Sequence, residues 1–392
     1  MDSKNGALLQ TSSSANSPFD PTNYIHKKPL ENCTAIDLFC GAGGLTYGLN
    51  AAGISVAAGI DFDENCKYPY EKNNASTFVH EDISKVTSDA VDQYYADDDI
   101  KVLVGCAPCQ DFSRYSRAKR ADGSDRWSLL NEFTRLIREI DPDIVSMENV
   151  VEIQHHPIFD VFLQHLLALG YQTTATRAYC PEYGVPQTRE RIVVLASKLG
   201  PISMVKPKFD SPEKYPTLKH VIGEMEMITA GAASPHDPLH RCSKLEPINL
   251  KRIGNSIPGG TWRDWPEELR SKCHRKQSGK TYSGVYGRME WDKPAPTITT
   301  QFFGYGNGRF GHPIQDRAIS LREGALLQSF PRNYQFVSSD AKVVFSAIGR
   351  LIGNAVPPRL GLAVGESIRQ HIENWRGLNV KGQKESTECA VN

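Results

Sequence analysis

The sequence predicts an α/β protein, a mostly parallel sheet alternating with helices and followed by a smaller irregular domain. Three observations predict it. Short apolar runs that end at a glycine turn or an acid recur between residues 34 and 197. Stretches with apolar residues three and four apart separate them. Beyond residue 198 the alternation gives way to Pro, Gly and aromatic residues.

In order along the chain, residues 1–30 are rich in Ser, Asn, Lys and Pro without a hydrophobic period, which predicts a mobile arm. Residues 35–39 read as a strand, 41–44 as a tight turn, 45–52 as the start of a helix, and 56–60 as a second strand ending at Asp61. Such a unit belongs to a parallel sheet. It repeats. Residues 102–105 form a strand, and Trp127, Leu130, Phe133, Leu136, Ile137 and Ile140 share one helix face that Pro142 stops. A strand at 144–147 ends at Glu148-Asn149-Val150, and Phe159, Phe162, Leu163, Leu166 and Leu167 mark a helix closed by Gly170. Strands at 172–179 and 192–196 finish the series. The region 201–312 suits loops and short strands. Helical spacing returns at 321–329 and 360–375, within an α/β segment at 313–377, and the polar tail at 378–392 reads as loose.

With 392 residues there is ample volume for a large core and a smaller one. No run reaches the length of a membrane span, and no signal-peptide pattern opens the sequence, so a cytoplasmic protein without a membrane partner is expected, and a monomer because one active site needs only one chain. Nine cysteines lack the spacing of a disulfide framework, which predicts free thiols. A formal net charge of zero argues against a protein that coats nucleic acid. The charge is uneven, however: residues 201–310 hold 17 Lys+Arg against 11 Asp+Glu, net +6, and the remainder carries −6. An ordinary solvated surface and a local polyanion-binding face are both compatible with this.

Asp37-Leu-Phe39-Cys-Gly41-Ala-Gly43-Gly44 lies at the carboxyl end of the first strand, where open parallel sheets bind ligands. Its glycines admit close backbone approach, yet it lacks the phosphate-loop and dinucleotide fingerprints. A structural tight turn is the plain alternative. Asp61 could accept from ribose hydroxyls, Phe62 could stack on adenine, and Asp82 could accept from an exocyclic amine; each acid could equally cap a helix. Taken in order, they point to a nucleoside-bearing cofactor. Cys106-Ala-Pro108-Cys109 is either a dithiol or the setting of one nucleophile. No second Cys-x-x-Cys pair accompanies it, and His240, Cys242, Cys273 and His274 lack zinc-finger spacing, so no metal is expected. The nucleophile reading gives a part to Glu148 and to Arg189 and Arg191, placed at alternate positions just before a strand.

The ordered set DLFCGAGG, PCQ, ENV, QTRER, LREGALLQSFP and IGNAVPP resembles the C5-cytosine DNA methyltransferases, of bacterial restriction-modification type, over residues 36–372. The resemblance implies a Rossmann-like sheet with helices on both faces, a target-recognition domain at 201–312, and S-adenosylmethionine as methyl donor. It implies that Cys109, followed by Gln110, adds to C6 of a flipped cytosine, that Glu148 protonates or hydrogen-bonds N3, and that Arg189, with Arg191, fixes O2. Cys106 then packs at the strand end without a part in catalysis.

The same resemblance assigns Asp37, Phe39, Gly41, Gly43, Gly44, Asp61, Phe62, Asp82, Ile83, Pro108, Leu129, Asn354 and Ala355 to the cofactor. It assigns Ser113, Arg252, Arg263, Arg288, Thr297, Thr299 and Arg309, beside Lys251, to double-stranded DNA. Asp61 and Phe62 stand where Glu and Trp are common, and Asp125-Arg126-Trp127 matches the next family motif loosely. A cognate restriction endonuclease could share the site. The rivals are a tRNA methyltransferase on the same scaffold, although no Cys-Phe-Thr segment is present, a catalytically dead DNA-binding member, and a dithiol enzyme.

Overall fold

The computed structural model describes residues 19–108, 128–279 and 283–389. Seven strands form one sheet: β1 (Cys33–Leu38), β2 (Ser55–Asp61), β3 (Thr77–His80), β4 (Ile100–Gly105), β5 (Ile144–Asn149), β6 (Gln172–Tyr179) and β7 (Glu190–Ser197). Their spatial order is β3-β2-β1-β4-β5-β7-β6. Neighbours from β3 through β5 are parallel, and β7 runs antiparallel to both β5 and β6. The strand order reverses between β1 and β4, so the segments leaving those two strands flank the crevice where doubly wound sheets bind ligands.

Eleven α-helices occur among the described residues. Those attached to the sheet are α1 (Gly44–Ala52), α2 (Lys67–Asn73), α3 (Ser88–Asp92), α4 (Ser128–Ile140) and α5 (Pro157–Ala168). The irregular region carries α6 (Leu218–Ile222), α7 (Pro247–Gly254) and α8 (Lys272–Arg275), and the returning chain carries α9 (Leu321–Leu327), α10 (Phe345–Asn354) and α11 (Pro358–Cys389).

Alternation along the strands sorts the core onto two faces. Ile36, Leu38, Leu103, Val145 and Met147 meet Val91, Phe133, Leu136, Ile137, Phe162 and Leu166 from α3, α4 and α5. The alternate residues Ala35, Val102, Val104 and Ile144 meet Leu45 and Leu49 of α1 and Leu360, Val364, Ile368 and Ile372 of α11. Helices α1 and α11 lie backbone against backbone. A Cβ on Gly48 would fall 2.3 Å from the Leu362 amide nitrogen and 2.4 Å from the Pro358 carbonyl oxygen.

Three expectations change. Residues 19–30 are anchored rather than free: Lys27 and Leu30 amides donate to Ala51 and Gly53, and Tyr24 Oη donates to Ser329 O at 2.6 Å. The Arg359 guanidinium lies over the Phe19 and Tyr24 rings, at 4.8 and 4.2 Å from their centroids. The two aromatics give this segment an apolar and cation–π hold that its polar composition hides. α11 continues past the expected boundary at 377 to Cys389. A helix already nucleated on packed residues extends readily through Lys, Gln and Glu.

In 201–312, the expected short strands are single-residue bridges between loops. A small core of Leu245, Ile253, Trp262, Trp265, Val285 and Tyr305 lies within that region. A larger cluster joins its Leu218, Val221, Ile298 and Phe302 to Leu321, Leu326, Phe330 and Ile352. Among the described residues no helix is long and apolar enough to cross a membrane.

Candidate active site at the carboxyl ends of β1, β4 and β5

The turn after β1 takes the left-handed backbone at Phe39 (φ 60°), Gly41 (φ 54°) and Gly43 (φ 86°). Gly43 caps α1, and a Cβ on Gly44 would fall 2.2 Å from Val356 O, so the IGNAVPP segment closes directly on the turn. Beside Gly41 there is space: an added Cβ would meet no atom within 4 Å. The Asp61 carboxylate holds the turn, accepting from the Gly41 and Asp63 amides at 2.9 Å each. Carboxylate lone pairs remain for a further donor.

Asp37 is buried. Its Oδ2 accepts from Thr46 Oγ1 at 2.7 Å, its Oδ1 has no partner, and burial pushes its carboxyl up to about 7. Phe62 is 66% exposed. Asp82 accepts from the Ser84 amide and hydroxyl as a cap, which holds its carboxyl below the usual range, and Ile83 next to it is buried. Leu129 is half-buried against the α4 face, Pro108 and Asn354 are exposed, and Ala355 is buried with its carbonyl accepting from Gln328 Nε2.

β4 and β5 pair in parallel through Gly105 and Met147, which brings the next residues, Cys106 and Glu148, side by side. Glu148 is 3% exposed. Its Oε1 lies 3.0 Å from Arg191 Nε, an ion pair off the line of a hydrogen bond. Its Oε2 accepts from Cys106 Sγ at 2.9 Å. Cys106 is therefore not mere packing, as its place at a strand end suggested. Asn149 ties the two strand ends together, donating from Nδ2 to Ala107 O at 3.2 Å while its Oδ1 accepts from the Val150 amide. Arg189 is also buried, but its Nη atoms go to Ile298 O and Gly353 O, and burial, with Arg191 nearby, pulls it down to about 10. Arg191 is thus the guanidinium that meets Glu148. Cys109, Gln110 and Ser113 lie outside the described residues.

Gln187 was not among the expected site residues, yet it ties together the segments that flank Arg189. Fully buried, it donates to Leu327 O and Gln328 Oε1 and accepts from the Ile298 amide. That joins two of the quoted motifs, QTRER and LREGALLQSFP, to the segment at 297–300 at one side chain. A glutamine present in both motifs was the available signal.

The residues expected on DNA divide. Arg288 is 6% exposed and donates to the carbonyls of Ser256, Ile253, His312 and Gln315 and to Asp316, so its guanidinium is engaged within the scaffold. Arg252 is also engaged, donating to Leu269 O, Asn249 Oδ1 and Ser271 Oγ over the Trp265 and Tyr286 rings. In both cases a loop-rich region uses guanidinium forks to satisfy carbonyls that no sheet pairs. Arg263, Thr299, Arg309 and Lys251 are exposed, and Thr297 Oγ1 donates to Thr188 O at 2.9 Å. Arg309 and Lys293 line a groove of about 640 Å³ that reaches Thr188, beside Arg189.

A family model described as C-5 cytosine-specific DNA methylase matches residues 33–370. The chain belongs to that family. It is 53% identical over 341 residues to the Type II methylase M.HgiDII of Herpetosiphon aurantiacus, covering 86% of this chain and 95% of that one. It is 30% identical to the Type II methyltransferase M.Sau96I of Staphylococcus aureus, covering 86% and 76%. The solved structure of the S. pombe Dnmt2 methyltransferase superposes with a TM-score of 0.55 at 18% identity, covering 87% of this chain and 99% of that one, a likeness of fold.

Proposed function

We propose that the chain methylates C5 of a cytosine in duplex DNA, with S-adenosylmethionine as donor, as the modification enzyme of a restriction-modification pair. The observation that carries this is the buried Glu148 at the end of β5, paired with Arg191 and beside the turn that leads through Pro108 to Cys109. The residues of the β1 crevice fit the donor: Asp37 Oδ1 is a buried acceptor without a partner, Gly41 borders free space, and the Phe62 ring is open for stacking. Asp61 and Asp82 would take hydroxyl and amine donors there. When bound, S-adenosylmethionine supplies an electrophilic methyl group.

The cytosine must leave the base stack, at a cost of roughly a few kcal/mol. The Cys109 thiolate adds to C6 while Glu148, as the neutral acid, donates its proton to N3 and accepts from the exocyclic amine with its other oxygen, which takes up the charge that develops on the ring and makes C5 an enamine carbon. Arg191 holds Glu148 in place and is the guanidinium available to O2, with Arg189 behind it as a brace. After alkylation a base takes the C5 proton, the C6–S bond breaks to release the Cys109 thiolate, and N3 returns its proton to Glu148. Exposed Arg263 and Arg309 are suited to phosphates, and the duplex then lies along the groove that reaches Thr188. One chain carries every group needed, so a monomer acts alone and the partner endonuclease need not be bound.

Purified protein with labelled S-adenosylmethionine is expected to methylate duplex DNA, and bisulfite sequencing of DNA from expressing cells gives the target site. Label entering tRNA but not DNA overturns the reading. Cys109→Ala is expected to abolish both turnover and the covalent adduct with 5-fluorocytosine DNA.

A further inference from the structure

The turn after β4 carries a thiol that faces a carboxylate instead of hydrocarbon. Cys106 Sγ donates to Glu148 Oε2 at 2.9 Å, and Glu148 Oε1 faces Arg191 Nε without hydrogen-bond alignment. The two oxygens of one buried carboxylate thus have unlike neighbours, one a neutral donor and one a cation. The contact is built into the sheet, because the β4–β5 register and the Asn149–Ala107 hydrogen bond fix the strand ends that carry it.

Burial, and then the charge of Glu148, push the Cys106 thiol well above its ordinary range. It therefore stays protonated at neutral pH. A protonated thiol is a donor and a poor nucleophile, so it does not compete with a catalytic thiolate. What it can supply is orientation. The last torsion of a glutamate is broad and roughly two-fold, and an ion pair off the hydrogen-bond line does not fix the carboxyl plane. The thiol contact does.

We infer that Cys106 is a positioning residue, whose S–H fixes the plane of the Glu148 carboxyl that meets the flipped cytosine. The inference rests on the proposed role of Glu148, and its test separates the two. Cys106→Ala is expected to lower kcat about tenfold while KM for DNA stays within about twofold, the size of a lost hydrogen bond to a charged group that acts on geometry. Cys106→Val fills the space without a donor and should match the alanine variant. Cys106→Ser restores a donor and should recover most of kcat.

In a Glu148→Gln background Cys106→Ala should have no further effect on the residual single-turnover rate. Melting temperatures identify any variant that fails to fold, and Val against Ser then decides. Wild-type kcat in the Ala and Val variants, equal losses in Val and Ser, or an undiminished effect in the Glu148→Gln background each overturn the inference. Wild-type kcat in Glu148→Gln alone overturns the role of Glu148 itself, and absence of DNA methylation by the unaltered protein overturns the function.

Discussion

Asp37 ends the first strand as a buried acid with one oxygen unpartnered. Its carboxyl is raised from 3.8 to about 7, burial being the main cause, so the folded protein binds a proton between those values that the unfolded chain does not. The stabilising protonated form is complete below about pH 4 and lost as pH climbs through about 7. Asp37→Asn should therefore gain stability relative to the unaltered protein between pH 5 and pH 8, by roughly a few kcal/mol at most. Urea unfolding at the two pH values checks it; a constant difference would count against it.

At this scale the sequence revealed Glu148, Arg189 and Arg191, because strand ends and alternation are local. It could not reveal which guanidinium reaches Glu148, since that depends on the Ile298 and Gly353 carbonyls that occupy Arg189 from more than a hundred residues away. For the same reason Arg288, basic and loop-borne, read as a DNA contact when its partners are backbone carbonyls.

Among the elements, the strands were legible to within a few residues wherever an apolar run met a turn or an acid. β3, four residues long with one buried side chain, gives too little pattern to bound from sequence. The antiparallel placing of β7 between β5 and β6 likewise depends on tertiary pairing, which no period encodes. The contact between α1 and α11 depends on a missing side chain. Gly48→Val would drive a branched group into the Leu362 and Pro358 backbone, where neither helix can yield without leaving the sheet. A loss of about 3 kcal/mol or more is expected from such overpacking. Denaturant unfolding measures it, and a change under about 1 kcal/mol would show that the helices can separate cheaply.

For the whole molecule, the segment at 19–30 bonds α1, the loop at Ser329 and the start of α11 together. Deleting residues 1–30 should lower the melting temperature by roughly 2–3 °C for each 2 kcal/mol lost, given the size of the chain. Affinity for S-adenosylmethionine should fall as well, because Tyr47, packed on Tyr24, also packs on Tyr334, whose hydroxyl donates to Ala42 in the glycine turn. Calorimetry on the deleted and undeleted proteins measures both, and equal values would make the segment dispensable. Its polar composition concealed this anchoring, since two aromatics among twelve residues make no period. The irregular region was recognisable as irregular, but the core it shares with α9 and α10 was not.

The covering of α1 by α11 also has a consequence for synthesis. Arg369 bonds the Ala52 carbonyl across 317 residues of chain. At about 5–20 residues per second, a ribosome needs roughly 15–60 seconds to pass from one partner to the other. Through that interval the face of the nascent sheet bearing Ala35, Val102 and Val104 has no lid, and the glycine turn has no Val356 to close on. A stalled or prematurely released polypeptide thus exposes a ready aggregation surface until α11 emerges to cover it.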